Sequence, residues 1–498
     1  MRLTDLLDAM AASADIPTDM EIRGLTANSQ KVKPGFLFAA LPGLRSDGAD
    51  FINEAVERGA VAILTRPGID ITQRIEDPLR ASRIVKLHDH NPQKRFSLLA
   101  ARFYETQPQV IAAVTGTNGK TSVASFTRQI WTMMGLRAAS MGTLGLIAPD
   151  ASQPLRYTTP GPVTIFSTLK KLTEDKVDHL VMEASSHGLD QFRLDGIRLK
   201  AAAFTNLTHD HLDYHSTVED YLYAKLRLFG EVMMPSGVAV LNADGQLPAD
   251  VEALCWGRGL QILTVGERAP DKGRHIKLRQ RRVQAQSQHL DILFDGKAYE
   301  VELPLVGTFQ ASNALIAAGL VVACGGEPDE VFAFLGALAG VSGRLQLIGH
   351  TKEKAPVFVD YAHTPDAIGH VLRALRPHAE GRLCIVFGAG GDRDRHKRPL
   401  MGNVASELAD MVIVTDDNPR TENPASIRAE VLASAPGASE IADRAQAIND
   451  AIGDLEPGDV LVVAGKGHET GQIIKDRVIP FSDEEEVRRA LKIQGGTV

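Results

Sequence analysis

Six consecutive residues, Gly116-Thr117-Asn118-Gly119-Lys120-Thr121, combine the groups that handle phosphate. Glycines let backbone N–H groups close on an anion, a lysine reaches its outer oxygens and a hydroxyl can ligate Mg²⁺, provided the run lies between a strand and a helix. The general phosphate loop has a glycine five positions before Gly119, and Val114 stands there instead. A Gly-rich turn with a chance lysine is the competing reading. Downstream, Glu183 of Glu183-Ala-Ser-Ser-His187 closes an apolar stretch, where a carboxylate can serve as a metal ligand; a surface glutamate would look the same. The run from Asn206 to His215 packs three histidines and two aspartates into ten residues. Such residues can hold a hard cation or orient its ligands, and a solvated loop is the alternative.

These groups need a frame. Val110 to Val114 reads as a strand and Lys120 to Met134 as a helix stopped by Gly135, with the phosphate run between them. Apolar strands at His179–Met182, Ala201–Phe204 and Val238–Leu241 alternate with helical segments, the pattern of a mostly parallel sheet whose ligands gather beyond the C-terminal strand ends. Before them, a strand from Phe36, a helix Ile52–Gly59 and a strand Val61–Leu64 form a small α/β domain, and the polar stretch His88–Arg95 reads as a linker. The segment from 268 to 302 reads as a polar, strand-like excursion. Beyond Gly343, four short strands (Val357–Val359, Leu383–Phe387, Met411–Val414, Val460–Val463) each end in polar residues, which marks one binding face.

The expected fold is therefore α/β in three domains, as the length of 498 residues also suggests. Residues 1–94 form a small N-terminal α/β domain, 95–341 a central phosphate-loop domain with a mostly parallel sheet, and 342–498 a Rossmann-like α/β domain. With 44% hydrophobic and 23% charged residues the chain has globular composition, and a net charge of −8 offers no general attraction for a nucleic-acid backbone. Cys255, Cys324 and Cys384 stand alone, without chelating spacing, and read as reduced packing residues. No apolar run is long enough to cross a bilayer and the first residues lack a cationic-then-apolar leader, so a cytoplasmic protein without a membrane partner is expected. Gly388-Ala-Gly390 hints at dinucleotide binding, but the third glycine position is Arg393.

Taken in order, GTNGKT at 116–121, EASSHGL at 183–189, NLTHDHLDYH at 206–215, YAKLRLF at 223–229, Asn242–Asp244, and Gly307 followed by ASNALIAA at 311–318 resemble the Mur ligases of peptidoglycan synthesis. Gly343-Arg344, DYAHTPDA from Asp360, GAGGDRDRHKRPLM from Gly388, DDNPR from Asp416 and GKGHE from Gly465 are similar to the branch of that family that adds diaminopimelate. The resemblance implies that Gly116, Thr117, Asn118, Gly119, Lys120, Thr121 and Ser122 bind ATP, with Lys120 on its phosphates. It further implies that Thr121 and Glu183 hold one Mg²⁺, that His211 serves a second, and that Lys225 carries a CO₂-derived carbamate, an anion in place of a cation. From spacing alone Lys225 is an ordinary helix-surface lysine. Asn313 is implied on the adenine side, with Arg344 and His363 also approaching the nucleotide.

For the nucleotide-sugar, the resemblance implies Thr158, Thr159, Ser185, Gln191 and Arg193 around the muramoyl-peptide and Ser29 at the UDP end. There the family's Asp-Ser-Arg reads Asn28-Ser29-Gln30. Asp417, Asn418, Pro419 and Arg420, with Arg393, Gly465 and Glu469, match the amine pocket. A guanidinium fork suits the distal carboxylate that diaminopimelate has and lysine lacks, and Glu469 suits the distal ammonium. The implied reaction is attack of the D-glutamyl carboxylate of UDP-MurNAc-L-Ala-D-Glu on ATP, giving an acyl phosphate that meso-diaminopimelate converts to an amide. Closure of the third domain would keep water out, and the partners implied are these three small molecules, met by a monomer. A lysine-adding relative, another Mur ligase or a folylpolyglutamate synthase are rivals within the class. A simple P-loop ATPase would explain the phosphate run but leave Arg393, Arg420 and Glu469 without a role.

Overall fold

The computed structural model describes residues 1–7, 20–43, 46–208, 214–245, 247–268, 273–284 and 286–498. Two compact units emerge, one built from residues 1–120, 131–241 and 245–263, the other from 121–130, 242–244 and 264–498.

The first unit contains a four-stranded parallel sheet, Gly24–Thr26, Phe36–Ala39, Ala60–Thr65 and Val85–His88, paired in chain order. Its outer strands escape a sequence reading for a simple reason. Gly24–Thr26 is three residues long, and only Val85 is buried in Val85–His88, so neither shows a period. The stretch expected to be a linker, His88–Arg95, instead runs into the helix Pro92–Tyr104. Asn91 caps it by accepting from Lys94 N at 2.9 Å, Pro92 opens the first turn, and Phe96, Leu99 and Ala100 face the core. The polar character that suggested a linker is that of a helix start.

The same unit holds the central strand Val110–Thr115, buried at all six positions. It is flanked in parallel by His179–Glu183 and Leu199–Phe204, and these in turn by Ala138–Gly142 and Met233–Asn242. A strand covered on both faces needs no alternation, which is why VIAAV reads as a continuous apolar run. The register sets Val114 beside Glu183 and Thr115 beside Phe204, so three strands end together at the phosphate loop.

In the second unit, the stretch 268–302 contains strands of an antiparallel array, Arg274–Val283, Gln288–Phe294 and Lys297–Leu303. A separate six-stranded sheet runs Gln346–His350, Pro356–Asp360, Val460–Ala464, Leu383–Phe387, Met411–Val414, Ser439–Glu440, with only the first pairing antiparallel. The last long strand in sequence is thus inserted between the second and third. Where strand order reverses, the connecting segments splay and leave a crevice at the strand ends. Asp360 ends its strand there, and Gly388 and Gly465 begin the neighbouring loops.

A buried ion pair anchors this sheet. Arg444 donates to Asp483 from Nε at 2.7 Å and from Nη2 at 2.8 Å, and Nη2 also reaches the Ala464 carbonyl at 2.8 Å. Both side chains are at most 1% exposed. Removing one partner strands the other charge, so Asp483→Ala is expected to destabilise this unit by about 3–5 kcal/mol in chemical denaturation. Asp483→Asn, which can still accept hydrogen bonds, should cost less.

Cys255, Cys324 and Cys384 are all buried. Among the described residues no helix is long and apolar enough to cross a membrane.

Candidate active site

In the first unit, the phosphate loop leaves its strand through Gly116, whose φ is +138°. A Cβ there would lie 2.0 Å from Thr205 Oγ1, so only glycine fits. The next strand end clamps the loop. Asn206 O accepts from Thr117 N at 2.9 Å, Asn206 Oδ1 from Asn118 N at 2.9 Å, and Thr205 Oγ1 donates to the Asn118 carbonyl at 2.6 Å. Lys120, at the start of the helix Lys120–Met133, donates to the carbonyls of Gly116 at 2.9 Å and Thr117 at 2.7 Å.

Lys225 departs from the surface lysine its spacing suggests: it is 1% exposed. Thr217 caps its helix, Val218–Arg227, which points Nζ at the Gly116 carbonyl, 2.8 Å away, and over the Tyr221 ring, 4.1 Å from the centroid. Tyr221 itself donates to Thr117 Oγ1 at 3.2 Å. Glu183, the last residue of its strand, is 2% exposed and accepts from Thr143 N at 2.7 Å and Thr143 Oγ1 at 3.2 Å.

Beyond Glu183 the residues matched to the muramoyl-peptide converge. Thr159 Oγ1 donates to the Glu183 carbonyl at 2.8 Å and accepts from Ser185 N and Oγ at 3.0 Å each. Thr158 Oγ1 lies 3.1 Å from Thr143 Oγ1. Arg193 donates to Thr159 O and to Gln191 Oε1, both at 2.6 Å, and stacks on Tyr157. Burial draws its pKa down, with the neighbouring tyrosines opposing. Ser29 sits elsewhere in this unit, buried in a 3-10 turn that Asn28 caps by accepting from Gln30 N. His211, together with His209, Asp210 and Asp213, lies outside the described residues.

In the second unit, Arg344 donates from Nη2 to Thr121 Oγ1 at 3.3 Å and stacks on Tyr361. Gln310 joins two further expected residues, donating to the Arg344 carbonyl at 3.0 Å and accepting from Asn313 at 3.3 Å. His363 Nδ1 meets the Tyr361 carbonyl at 2.8 Å. At the strand ends, Asn418 Nδ2 donates to Glu469 Oε2 at 2.9 Å, while Asn418 Oδ1 accepts from Ile473 N at 2.9 Å and Lys466 Nζ at 3.1 Å. Arg420 donates to the Gly391 carbonyl at 2.7 Å, and a Cβ on Gly465 would touch Asp417 Oδ2 at 3.3 Å. Asp417, Asn418, Arg420, Gly465 and Glu469 therefore form one cluster.

Family models match this chain in three stretches: "Mur ligase family, catalytic domain" at residues 21–104, "Mur ligase middle domain" at 114–321 and "Mur ligase, glutamate ligase domain" at 343–467. The chain belongs to the Mur ligase family. This Mur ligase is 49% identical over 491 residues, 99% of each chain, to the UDP-N-acetylmuramoyl-L-alanyl-D-glutamate--2,6-diaminopimelate ligase of Bradyrhizobium diazoefficiens. It is 48% identical over 473 residues to the enzyme of that name from Brucella melitensis, with 95% of this chain and 94% of the relative covered. A solved structure of a ligase of the same name superposes with a TM-score of 0.71 at 31% identity, covering 99% of both chains. The Mycobacterium tuberculosis folylpolyglutamate synthase superposes at 0.57 with 19% identity, over 74% of this chain and 90% of its own, which speaks for a shared fold alone.

Sequence reasoning overlooked several residues of this Mur ligase site. Lys466 is fully buried with Asp417, Asn418 and Glu469 as its partners. Asp360 is buried and accepts from Leu345 N at 2.6 Å and Ala362 N at 2.7 Å, yet desolvation still lifts it to about 6. His468 packs on Tyr361, and burial, with Arg344 adding, pushes it down to about 4. Their quoted motifs were the available signal; which side chains turn inward was not legible.

The two shifts have opposite consequences. His468 titrates at 6.5 ordinarily, so its contribution to stability is present above that pH and lost as pH falls toward 4. Asp360, raised from 3.8, contributes below its ordinary value, and that contribution is lost as pH rises through about 6. Between these values they offset each other. In His468→Gln the His468 slope is gone while every other slope is common to both proteins, so the stability difference between variant and parent should move toward the variant by about 1–3 kcal/mol on acidification from pH 6.5 to 4. Denaturant midpoints measured across that range test the sign.

Proposed function

We propose that this Mur ligase joins meso-diaminopimelate to the D-glutamyl carboxylate of UDP-MurNAc-L-Ala-D-Glu, cleaving ATP and passing through an acyl phosphate. The observation that carries the choice of amine is the cluster of Arg420, Asn418 and Glu469, in which guanidinium, amide and carboxylate present donors and an acceptor at the same strand ends. A distal carboxylate pairs with the first two and a distal ammonium with the third, a combination that lysine cannot fill. Full-length identity near half with diaminopimelate ligases supports the same reading.

In the reaction, the amides of Gly116–Gly119 receive the ATP phosphates at a helix start, and Lys120 exchanges its loop carbonyls for the transferring group. Thr159, Ser185 and Arg193 orient the D-glutamyl end so that one carboxylate oxygen meets the γ-phosphorus in line. The bond from the γ-phosphorus to the β-phosphate oxygen breaks and ADP leaves. With the distal end of diaminopimelate in the Arg420 cluster, its other amine attacks the acyl carbon, loses a proton, and phosphate leaves as the acyl C–O bond breaks.

Among the described residues no three His, Cys, Asp or Glu side chains converge on one point. Mg²⁺ takes few protein ligands and completes its shell with water and phosphate oxygens. Buried Glu183 beside the loop fits it. We propose that Thr121 and Glu183 hold one Mg²⁺ and His211 a second, with Lys225, as a carbamate, binding or positioning Mg²⁺. When bound, Mg²⁺ neutralises charge on the transferring phosphoryl group. A carbamate on Lys225 fits too: its nitrogen keeps one N–H for the Gly116 carbonyl, and burial to 1% exposure removes the water that favours an ammonium. We also propose the division at residues 1–94, 95–341 and 342–498, Ser29 as a UDP-end contact, Asn313, Arg344 and His363 on the nucleotide, and action as a cytoplasmic monomer.

The test is ADP release by the purified protein with Mg²⁺, ATP and the nucleotide-sugar dipeptide, given meso-diaminopimelate or L-lysine. Turnover with diaminopimelate and a matching tripeptide mass is expected. Turnover with lysine alone would discard the pocket reading, and ADP release indifferent to both amines would discard the ligase.

A further inference from the structure

Two loops of the second unit carry the arginines matched to the amine pocket, Arg393 and Arg420: residues 390–393 follow the strand Leu383–Phe387, and residues 419–422 follow Met411–Val414. What fastens them together is Arg398, on the first turn of the helix Lys397–Leu408 and fully buried. Its Nη2 donates to the Gly390 carbonyl at 3.2 Å and to Glu422 Oε1 at 2.7 Å; its Nη1 donates to Glu422 Oε2 and Glu430 Oε2, both at 2.9 Å. Glu422 then returns to the first loop by accepting from Asp392 N at 2.6 Å. One guanidinium thus grips one loop directly and the other through a carboxylate that itself bridges both.

Arg420 stands on this clamp. Its Nη1 donates to the carbonyl of Gly391, the residue between the two points that Arg398 and Glu422 hold, and its own backbone is left-handed at φ +50°. A left-handed arginine costs about 1 kcal/mol or more and persists only where its surroundings over-determine it. A guanidinium fork discriminates between ligands only when its plane is set before the ligand arrives.

We propose that Arg398, acting through Glu422, is the positioning residue that fixes both loops so that Arg393 and Arg420 meet the distal carboxylate of the amine substrate. This rests on the diaminopimelate reading and adds the element that sets the pocket's geometry. Arg398 and the Asp392 amide hold the Glu422 carboxyl down to about 2, so the clamp stays charged at every pH at which the enzyme would work.

Arg398 has two carboxylate partners, and only Glu422 also holds Asp392. That asymmetry supplies the test. Glu422→Gln should raise KM for meso-diaminopimelate about tenfold or more, with kcat at saturating amine and KM for ATP unchanged. Glu430→Gln should lose comparable thermal stability and leave that KM alone. Equal KM shifts in both variants, or none in Glu422→Gln, would overturn the proposal while the parent's turnover with diaminopimelate left the substrate reading intact. A parent that uses only L-lysine would sink both together. Should Glu422→Gln fail to fold, Thr421→Val serves instead: exposed Thr421 donates to Asp392 Oδ1 at 2.6 Å across the same junction. It should raise the same KM, and an unchanged value would again refute the clamp.

Discussion

Lys225→Arg is expected to lose activity as completely as Lys225→Ala, with kcat reduced at least about a hundredfold and binding of ATP little changed. The argument turns on what the side chain does. As a cation beside the phosphates, arginine would replace it with a smaller loss. As the nitrogen of a carbamate it has no substitute, since a guanidinium does not take up CO₂ under these conditions and brings a charge of the opposite sign. The geometry makes the two cases separable. Nζ is enclosed between the Gly116 carbonyl and the Tyr221 ring, so the alanine variant opens a small cavity next to the loop without changing the surface. A short carboxylate such as acetate can enter that cavity and should restore part of the rate in Lys225→Ala, but none in Lys225→Arg. Parallel kcat measurements, with a carbonyl carbon NMR signal after ¹³CO₂ exposure of the parent, decide the matter. An active arginine variant would remove the carbamate from the account.

The second large effect is expected at Arg420. Arg420→Ala should lower kcat/KM for meso-diaminopimelate by about two to three orders of magnitude and leave KM for the nucleotide-sugar in place. The guanidinium is held by the carbonyls of Gly391 and Asn418, and burial, with Arg393 adding, draws its pKa down while Asp417 and Glu469 oppose. These contacts occupy Nη1 and leave further donors of the planar fork for a carboxylate. Lysine at the position would keep a charge without the fork, so Arg420→Lys should recover only a minor part of the loss. The reading also predicts selectivity. Whatever slow rate the parent shows with L-lysine should change little in Arg420→Ala, so the ratio between the two amines collapses. A variant that loses both amines equally would assign Arg420 to loop structure alone.

The phosphate loop and its flanking strand and helix were legible because their signals are local. Gly116 to Thr121 specify a backbone path through residue types, and the continuous apolar run before them specifies a strand covered on both faces. Four of the six strands of the C-terminal sheet and their polar ends were readable on the same ground. The edge strands Gly24–Thr26 and Val85–His88 were not, since short or half-exposed strands leave no period, and the start of the helix Pro92–Tyr104 reads as a linker because it is polar.

Among the site residues the boundary falls in the same place. A glycine, or a threonine after a lysine, declares its use by its neighbours. Lys225 does not: its helix reads as amphipathic, and only the approach of Gly116, 109 positions away, makes it a buried group on the phosphate loop. Arg398 lies in a run of charges and Lys466 between two glycines, so neither declares itself by its neighbours, yet both are fully buried because Glu422, Asn418 and Glu469 come to meet them. The insertion of Val460–Ala464 between Pro356–Asp360 and Leu383–Phe387 likewise brings Gly465 to Glu469 beside Asp417 and Asn418. Residue types and near-neighbour spacing determined which chemistry the chain can hold. Tertiary structure decided which charges it shields and aims, because burial and pairing depend on partners that are distant along the chain.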